Sequence, residues 1–236
     1  MPDFFRTEMK ILENENLKVE RAALDDIILH EGGELIFHDE HAAIVRLTDW
    51  HKCVFDSADS CDKYIKDLKI SGDVCAMNLT SISPEFKPVL SGAYKTYAYL
   101  KPMPPEFDKS VTVKRLAPSL AGFIASEYNG CAAAVYDEAH IETLMRTKGI
   151  FGAIVESQLA GFIGMHEDGN MGMLRVFEKF RRHKIGEALE KFLISYIMTF
   201  GRVPICDVAE DNVPSIKLQE KLGLTAANAN TYWIKI

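Results

Sequence analysis

The sequence predicts a mixed α/β protein: an α+β mixed sheet over residues 109–236, preceded by a smaller α/β domain over 1–104. Three observations lead there. From residue 111 the elements read βααβββαβαβ, an order that joins hairpins to a helix-crossed parallel step and excludes a simple doubly wound sheet. Residues 101–109, KPMPPEFDK, pack three prolines into nine positions, a stiff connector suited to a domain boundary. Residues 174–189, LRVFEKFRRHKIGEAL, pass from an apolar run through a basic turn into a helix pattern.

In the first hundred residues, 3–29 read as helix, with Phe4, Phe5, Met9, Ile11, Leu12, Leu17, Leu24, Ile27 and Ile28 near helical spacing until Gly32 and Gly33. Two strand-like runs, 34–37 and 42–47, flank the polar turn HDEH, which reads as a hairpin. His38 and His41 lack the helical HExxH spacing and any supporting cluster, so no metal site is expected. Residues 57–68 read as a helix with Cys61, Tyr64, Ile65 and Leu68 on one face. Strands follow at 74–79 and 94–100, with a turn or short helix at 83–90 around Pro84 and Pro88.

Beyond the connector, 111–116 is a strand, and 119–128 and 140–148 are helices. Residues 150–155 and 159–165 form a hairpin around Glu156 and Ser157, and 171–176 is the next strand. An amphipathic helix is expected over 182–200, stopped by Gly201. A buried strand at 203–208, a helix over 213–222 closed by Gly223, and a strand at 232–236 complete the chain.

Composition narrows the function classes. A net charge of -7 argues against a general nucleic-acid binder. No apolar run approaches the ~20 residues of a membrane helix, and the N-terminus has no secretory pattern. Five scattered cysteines without a CxxC pair read as reduced, buried thiols in a cytoplasmic protein. Against this acidic background Arg181, Arg182, His183 and Lys184 stand together, shortly before Gly186. A helix start offers unpaired N–H groups and the positive end of its dipole, so a phosphate or pyrophosphate is the expected occupant.

Two stretches then carry a resemblance. V-x-x-x-x-R-R-x-x-I-G-x-A-L, residues 176–189, looks like the Arg/Gln-x-x-Gly-x-Gly/Ala pyrophosphate loop of the GNAT superfamily of acyl-CoA-dependent N-acyltransferases. D-N-x-P-S-I-x-L-Q-E-K-L-G-L, residues 211–224, looks like that family's closing D-N-x-x-S-x-x-L-Y-E-K-x-G-F segment. The resemblance covers about 111–236. It implies an enzyme transferring an acetyl group from acetyl-CoA, or another acyl-CoA, to an amine by direct attack. The alternative is a catalytically weak acyl-CoA-binding or interaction module. No metal is implied. The expected partner is a small-molecule or peptide amine, with no nucleic acid and no membrane; a homodimer is compatible.

Residue by residue, the resemblance implies that backbone groups of Leu174, Arg175 and Val176 hold pantetheine like an added strand. It implies that Arg181, Arg182, His183, Lys184, Ile185, Gly186 and Glu187 wrap the pyrophosphate, with Asn212 completing the cofactor set. Lys184 stands where the family has its first glycine; a lysine backbone can still be helical there. Gln219 replaces the tyrosine that protonates the departing thiolate; it can donate a hydrogen bond but is no general acid. Water or the Ser215 hydroxyl could substitute, although Ser215 also reads as a helix-start residue. Asn170 matches a position where some members carry a glutamate base; others carry an acidic residue on the next strand, five positions before the asparagine, where Asp207 stands at a strand end, and His166 is a further candidate. The first hundred residues contain no such loop. They could be a decayed copy of the same fold that walls the acceptor pocket, with Tyr94, Tyr97 and Tyr99 near the junction.

Overall fold

The computed structural model describes residues 8–90, 92–107, 111–129 and 135–236. The start of the expected first helix, with Phe4 and Phe5, the end of the proline-rich connector and Cys131 lie outside the described residues. The helices are α1 Lys18–His30, α2 Ala58–Asp67, α3 Ala121–Asn129, α4 Glu138–Thr147, α5 Ile185–Met198 and α6 Val213–Leu222. The strands of the first half are β1 Glu34–His38, β2 Ala42–Arg46, β3 Trp50–Phe55, β4 Asp73–Leu79, β5 Lys87–Pro88 and β6 Tyr94–Ala98. Those of the second are β7 Thr112–Arg115, β8 Ile150–Val155, β9 Gln158–Met165, β10 Met171–Val176, β11 Ile205–Ala209, β12 Thr225–Ala226 and β13 Asn230–Lys235.

The chain forms two compact units that are not two consecutive pieces of sequence. One comprises 1–98, 207–217 and 224–236; the other comprises 99–206 and 218–223. The chain passes between them within β11 and again within α6.

In the first unit the main sheet runs β1-β2-β3-β4-β13-β6-β11, with β5 beside β13 and β12 beside β6. The β1–β2 hairpin closes through the 38–41 turn, where Asp39 accepts from the backbone N–H groups of His41 and Ala42. β3 and β4 pair in parallel from Trp50↔Asp73 to Val54↔Met77, with α2 as the crossover. Ser57 caps α2 by accepting from the Ser60 N–H. α2 buries Cys61, Tyr64 and Ile65 against Ile44, Phe55, Val74 and Leu79 of the sheet. β3 has no clean alternation, because Lys52 is buried beside Cys53, Val54 and Phe55, and sequence pattern alone does not reveal it.

The first helix is shorter than the 3–29 pattern. Short 3-10 turns occupy Lys10–Glu13 and Glu15–Leu17 before α1 begins at Lys18. The physical reason is local: the Asn14 side chain accepts from the Asn16 N–H, an arrangement that competes with helix propagation.

In the second unit the sheet is antiparallel, in the order β10-β9-β8-β7. Glu156 and Ser157 both adopt positive φ, as a two-residue hairpin turn demands. Neighbouring residues of β8 face opposite layers. Ile150 packs with Ile124, Ile141 and Leu144 of α3 and α4, while the Phe151 ring meets Phe192 and Tyr196 of α5. Each face of the sheet is therefore covered by helix. Cys53, Cys61, Cys75 and Cys206 are buried, and among the described residues none of them forms a disulfide. Among the described residues no helix is long and apolar enough to cross a membrane.

Candidate functional site

β10 is an edge strand, and it is bulged. Its register with β9 shifts between Gly172 and Arg175, and Met173 sits at φ 56 within the bulge. A bulge leaves backbone groups out of the ladder and re-aims the strand that carries it. Gly161 permits this approach, since a Cβ there would come within 2.3 Å of the Arg175 carbonyl oxygen. Leu174, Arg175 and Val176 are half-buried along this edge. The Arg175 guanidinium reaches Glu127 of α3 at 3.6 Å.

A 3-10 turn, Glu178–Phe180, leads from β10 to the basic residues. Arg181, Arg182, His183 and Lys184 are all exposed. Arg181 Nε donates to the Val176 carbonyl at 3.5 Å, which folds the turn back on the strand end. The helix begins at Ile185 rather than Arg182, and the cause is backbone handedness. Arg182 has φ 67, and Lys184, the residue before the helix, has φ 59 and ψ 15. The expectation of a helical lysine at 184 is thus corrected: Lys184 is left-handed, a conformation in which glycine is comfortable and lysine pays about 1–2 kcal/mol. No side chain caps α5. Its first helical bond is from Ala188 N–H to the Lys184 carbonyl, so the N–H groups of Ile185, Gly186 and Glu187 fall in the open first turn.

Gly186 packs closely without being conformationally required. A Cβ there would lie 3.5 Å from Val176 Cγ2, 3.8 Å from Leu174 Cδ2 and 3.9 Å from Leu218 Cδ2. Gly186, the end of β10 and Leu218 of the second motif segment therefore meet within this unit. Glu187 is held by Lys221 and by Lys191, the latter at 3.0 Å. The Lys221 hydrogen bond, then that from Lys191, holds the Glu187 carboxyl below its ordinary range. The two lysines neutralise a negative charge that would otherwise oppose an anion at the helix start.

One turn further along, α5 carries Glu190, which sequence reasoning overlooked. Gln219 Nε2 donates to Glu190 Oε1 at 2.8 Å. The residues are 1% and 4% exposed respectively. Burial pushes the Glu190 carboxyl up to about 7, against the opposing effect of the Gln219 hydrogen bond. The signal was present in the sequence. Glu190 sits three, four and seven positions before Leu193, Ile194 and Ile197, all buried, so it occupies the apolar stripe of its helix.

Asp207, Asn212 and Ser215 belong to the first unit. Asp207 Oδ1 accepts from the Thr96 hydroxyl at 2.5 Å, and Thr96 shares a second hydrogen bond with Thr231 at 2.7 Å. Asn212 precedes α6 and its side chain accepts from the Ser215 N–H at 3.3 Å, which gives both residues helix-start roles. In the second unit, His166 lies with its Nδ1 3.3 Å from the Tyr136 hydroxyl, and its ring covers Gly172. Tyr136 also stacks on His140, with centroids 4.6 Å apart. Among the described residues no cluster of His, Cys, Asp and Glu could hold a metal ion.

Residues 148–234, which contain both motif segments, match the family model described as FR47-like protein. The chain resembles a solved Drosophila protein with TM-score 0.57 and 14% identity, over 83% of this chain and 73% of that one. It resembles a GNAT-family protein from Novosphingobium aromaticivorans with TM-score 0.57 and 15% identity, over 90% and 96%. It also resembles a GCN5-related N-acetyltransferase from Kribbella flavida with TM-score 0.51 and 9% identity, over 94% and 95%. At these identities the likeness is one of fold, and it extends well beyond residues 111–236. No curated protein matches the chain.

Proposed function

We propose, from the premise of a GNAT fold carrying an FR47-like segment, that the protein is an N-acetyltransferase using acetyl-CoA, with residues 109–236 as its acyltransferase part. One observation carries the reading. A bulged edge strand, β10, runs into an uncapped helix start beneath four exposed basic side chains, all within one unit.

The chemistry follows from these parts. Backbone groups of Leu174, Arg175 and Val176 pair with the pantetheine amides as a further strand would. The N–H groups of Ile185, Gly186 and Glu187, with the side chains of Arg181, Arg182, His183 and Lys184, receive the pyrophosphate. Asn212 orders the start of α6. An amine, freed of its proton, attacks the thioester carbonyl, and strand amides hold the developing oxyanion. Asp207 is the proposed base, oriented by Thr96. Gln219 donates a hydrogen bond to the departing thiolate; a thiol of pKa about 8.5 leaves readily enough to manage without a full proton donor. Ser215 serves α6 rather than the reaction. The acceptor is a small molecule or peptide bearing an amine. A cytoplasmic location fits the reading, since acetyl-CoA and the reduced, buried thiols of this chain are both compatible with it.

Isothermal titration with acetyl-CoA tests the proposal. Binding is expected, and its complete absence at millimolar ligand would overturn the reading. A thiol-release assay over small amines, amino acids and peptide N-termini then separates a transferase from a module that binds acyl-CoA without turnover. Gly186→Phe, whose ring would have to displace Val176, Leu174 and Leu218, should abolish binding.

A further inference from the structure

The Glu190–Gln219 pair uses only part of its hydrogen-bonding capacity. Among the described residues, Glu190 Oε2 and Gln219 Oε1 are buried and without a hydrogen-bond partner. Leaving such oxygens unmatched costs about 1–3 kcal/mol each, so a pair of this kind in a core needs a reason. Among the described residues no cation is paired with the carboxyl. On α5, Lys191 is engaged by Glu187; on α6, Lys221 is engaged by the same Glu187, and Glu220 is exposed. On β10, Arg175 is drawn to Glu127. β8 and β9, which also pack on α5, carry no ionisable side chain.

We propose that Glu190 is a positioning residue whose hydrogen bond to Gln219 Nε2 fixes the carboxamide and reserves its second amide hydrogen for the sulfur of the leaving thiolate. The inference rests on the acetyltransferase reading above. The geometry supplies the division of labour. Glu190 Oε1 takes one amide hydrogen of Gln219, which leaves the other available. In the reaction, the amine nitrogen forms its bond to the acyl carbon as the carbon–sulfur bond breaks and the electron pair stays on sulfur. The amine proton passes to Asp207, the proposed base, and the thiolate takes one from solvent. A neutral Glu190 leaves the Gln219 hydrogen free to meet the charge growing on sulfur. An ionised Glu190 draws the amide to itself and sets a second negative charge beside the first. Burial without a cation keeps the proton on Glu190 up to about 7.

The test uses the full chain, acetyl-CoA and whichever amine gives the fastest thiol release. Glu190→Gln keeps shape, neutrality and the hydrogen bond to Gln219. Its kcat should match wild type below neutrality. Above about pH 7 the ratio of variant to wild-type kcat should climb with pH and level off at about tenfold to hundredfold, a ratio from which titration of the amine cancels. Glu190→Leu should lower kcat about tenfold to hundredfold at every pH with the KM for acetyl-CoA unchanged. A second readout needs no turnover. The preference for CoA over desulfo-CoA in wild type, taken relative to that in Glu190→Gln so that ionisation of the CoA thiol cancels, should weaken from about pH 6 to about pH 8. Superimposable pH profiles, or a CoA preference indifferent to pH and to the variant, overturn this inference while leaving the transferase intact. Failure to bind either CoA form overturns both.

Discussion

Thr96 donates its hydroxyl to Asp207 across the first unit's sheet at 2.5 Å, and both Thr96 and its other partner, Thr231, are completely buried. A hydroxyl in that position fixes the carboxylate more firmly than water would. It also means that the carboxylate has a structural duty beside the proposed catalytic one. The two separate under substitution. Thr96→Val takes the hydroxyl away from both Asp207 and the buried Thr231, so stability should fall by about 1–3 kcal/mol in urea denaturation. Asp207→Asn retains an acceptor oxygen for Thr96 but is no base. It should stay folded, bind acetyl-CoA as wild type does, and lose about 100- to 10,000-fold in kcat. Wild-type turnover in that variant would remove Asp207 from the reaction.

The left-handed Lys184 makes a second prediction. Lys184→Gly relieves backbone strain of about 1–2 kcal/mol but enlarges the unfolded ensemble by about half to one, so stability should be unchanged or rise by up to about 1.5 kcal/mol. Lys184→Val places a β-branched side chain at positive φ and should be clearly destabilising by thermal denaturation. It should also weaken acetyl-CoA binding, because the helix start would no longer present its N–H groups in the same direction. If valine is tolerated as well as glycine, the left-handed turn at 184 is not what aims that helix.

Much of this arrangement was legible in the sequence. The basic turn, the segment after Asp211 and the Glu156–Ser157 hairpin are local patterns set by local chemistry, and the structure keeps each of them. What was not legible depends on partners distant in sequence. β3 lacks alternation because Lys52 is buried in it, and that is a tertiary outcome. The interleaving of 207–217 and 224–236 with the first unit arises from pairing of β11 with β6 and of β13 with β4 and β6, far away in the chain. The handedness of Lys184 was not legible either, since nothing about lysine signals positive φ. Glu190 is different: its position in the apolar stripe was readable, and only its pairing with Gln219 required the structure.

Glu190 also links stability to pH. Its folded-state pKa of about 7 stands above the ordinary value of 4.5. The folded state therefore holds this proton more tightly than the unfolded chain. The sign is fixed by that: the contribution is fully present below about pH 4.5 and is lost as pH rises towards 7, with no further change above. Its size is on the order of 3 kcal/mol, since each factor of ten in proton affinity is worth about 1.4 kcal/mol. Other groups, such as Glu187, whose carboxyl is held low, slope the opposite way, so the whole-protein curve is a poor measure. The difference between wild type and Glu190→Gln isolates the effect. In urea melts, that difference should favour the variant progressively between pH 4.5 and 7 and level off above. A flat difference would mean that Glu190 is solvated in solution.

Glu187 provides a final test, of the charge balance at the helix start. Its carboxylate is shared by Lys191 of the same helix and Lys221 of α6, so three charges there sum to +1 beside four basic turn residues. Glu187→Gln removes the negative charge and leaves both lysines in place. An anion at the N–H groups of Ile185 and Gly186 would then meet a more positive field. Acetyl-CoA affinity should rise several-fold at low ionic strength, and the gain should shrink as salt is raised past about 0.1 M, where the screening length falls to about 10 Å. The same change deprives Lys221 of its partner and should cost a fraction of a kcal/mol in stability, as breaking an exposed ion pair usually does. Opposite shifts in affinity and stability, with only the affinity shift strongly salt-dependent, are the expected signature. An affinity that falls, or that ignores salt, would place the pyrophosphate somewhere other than the start of α5.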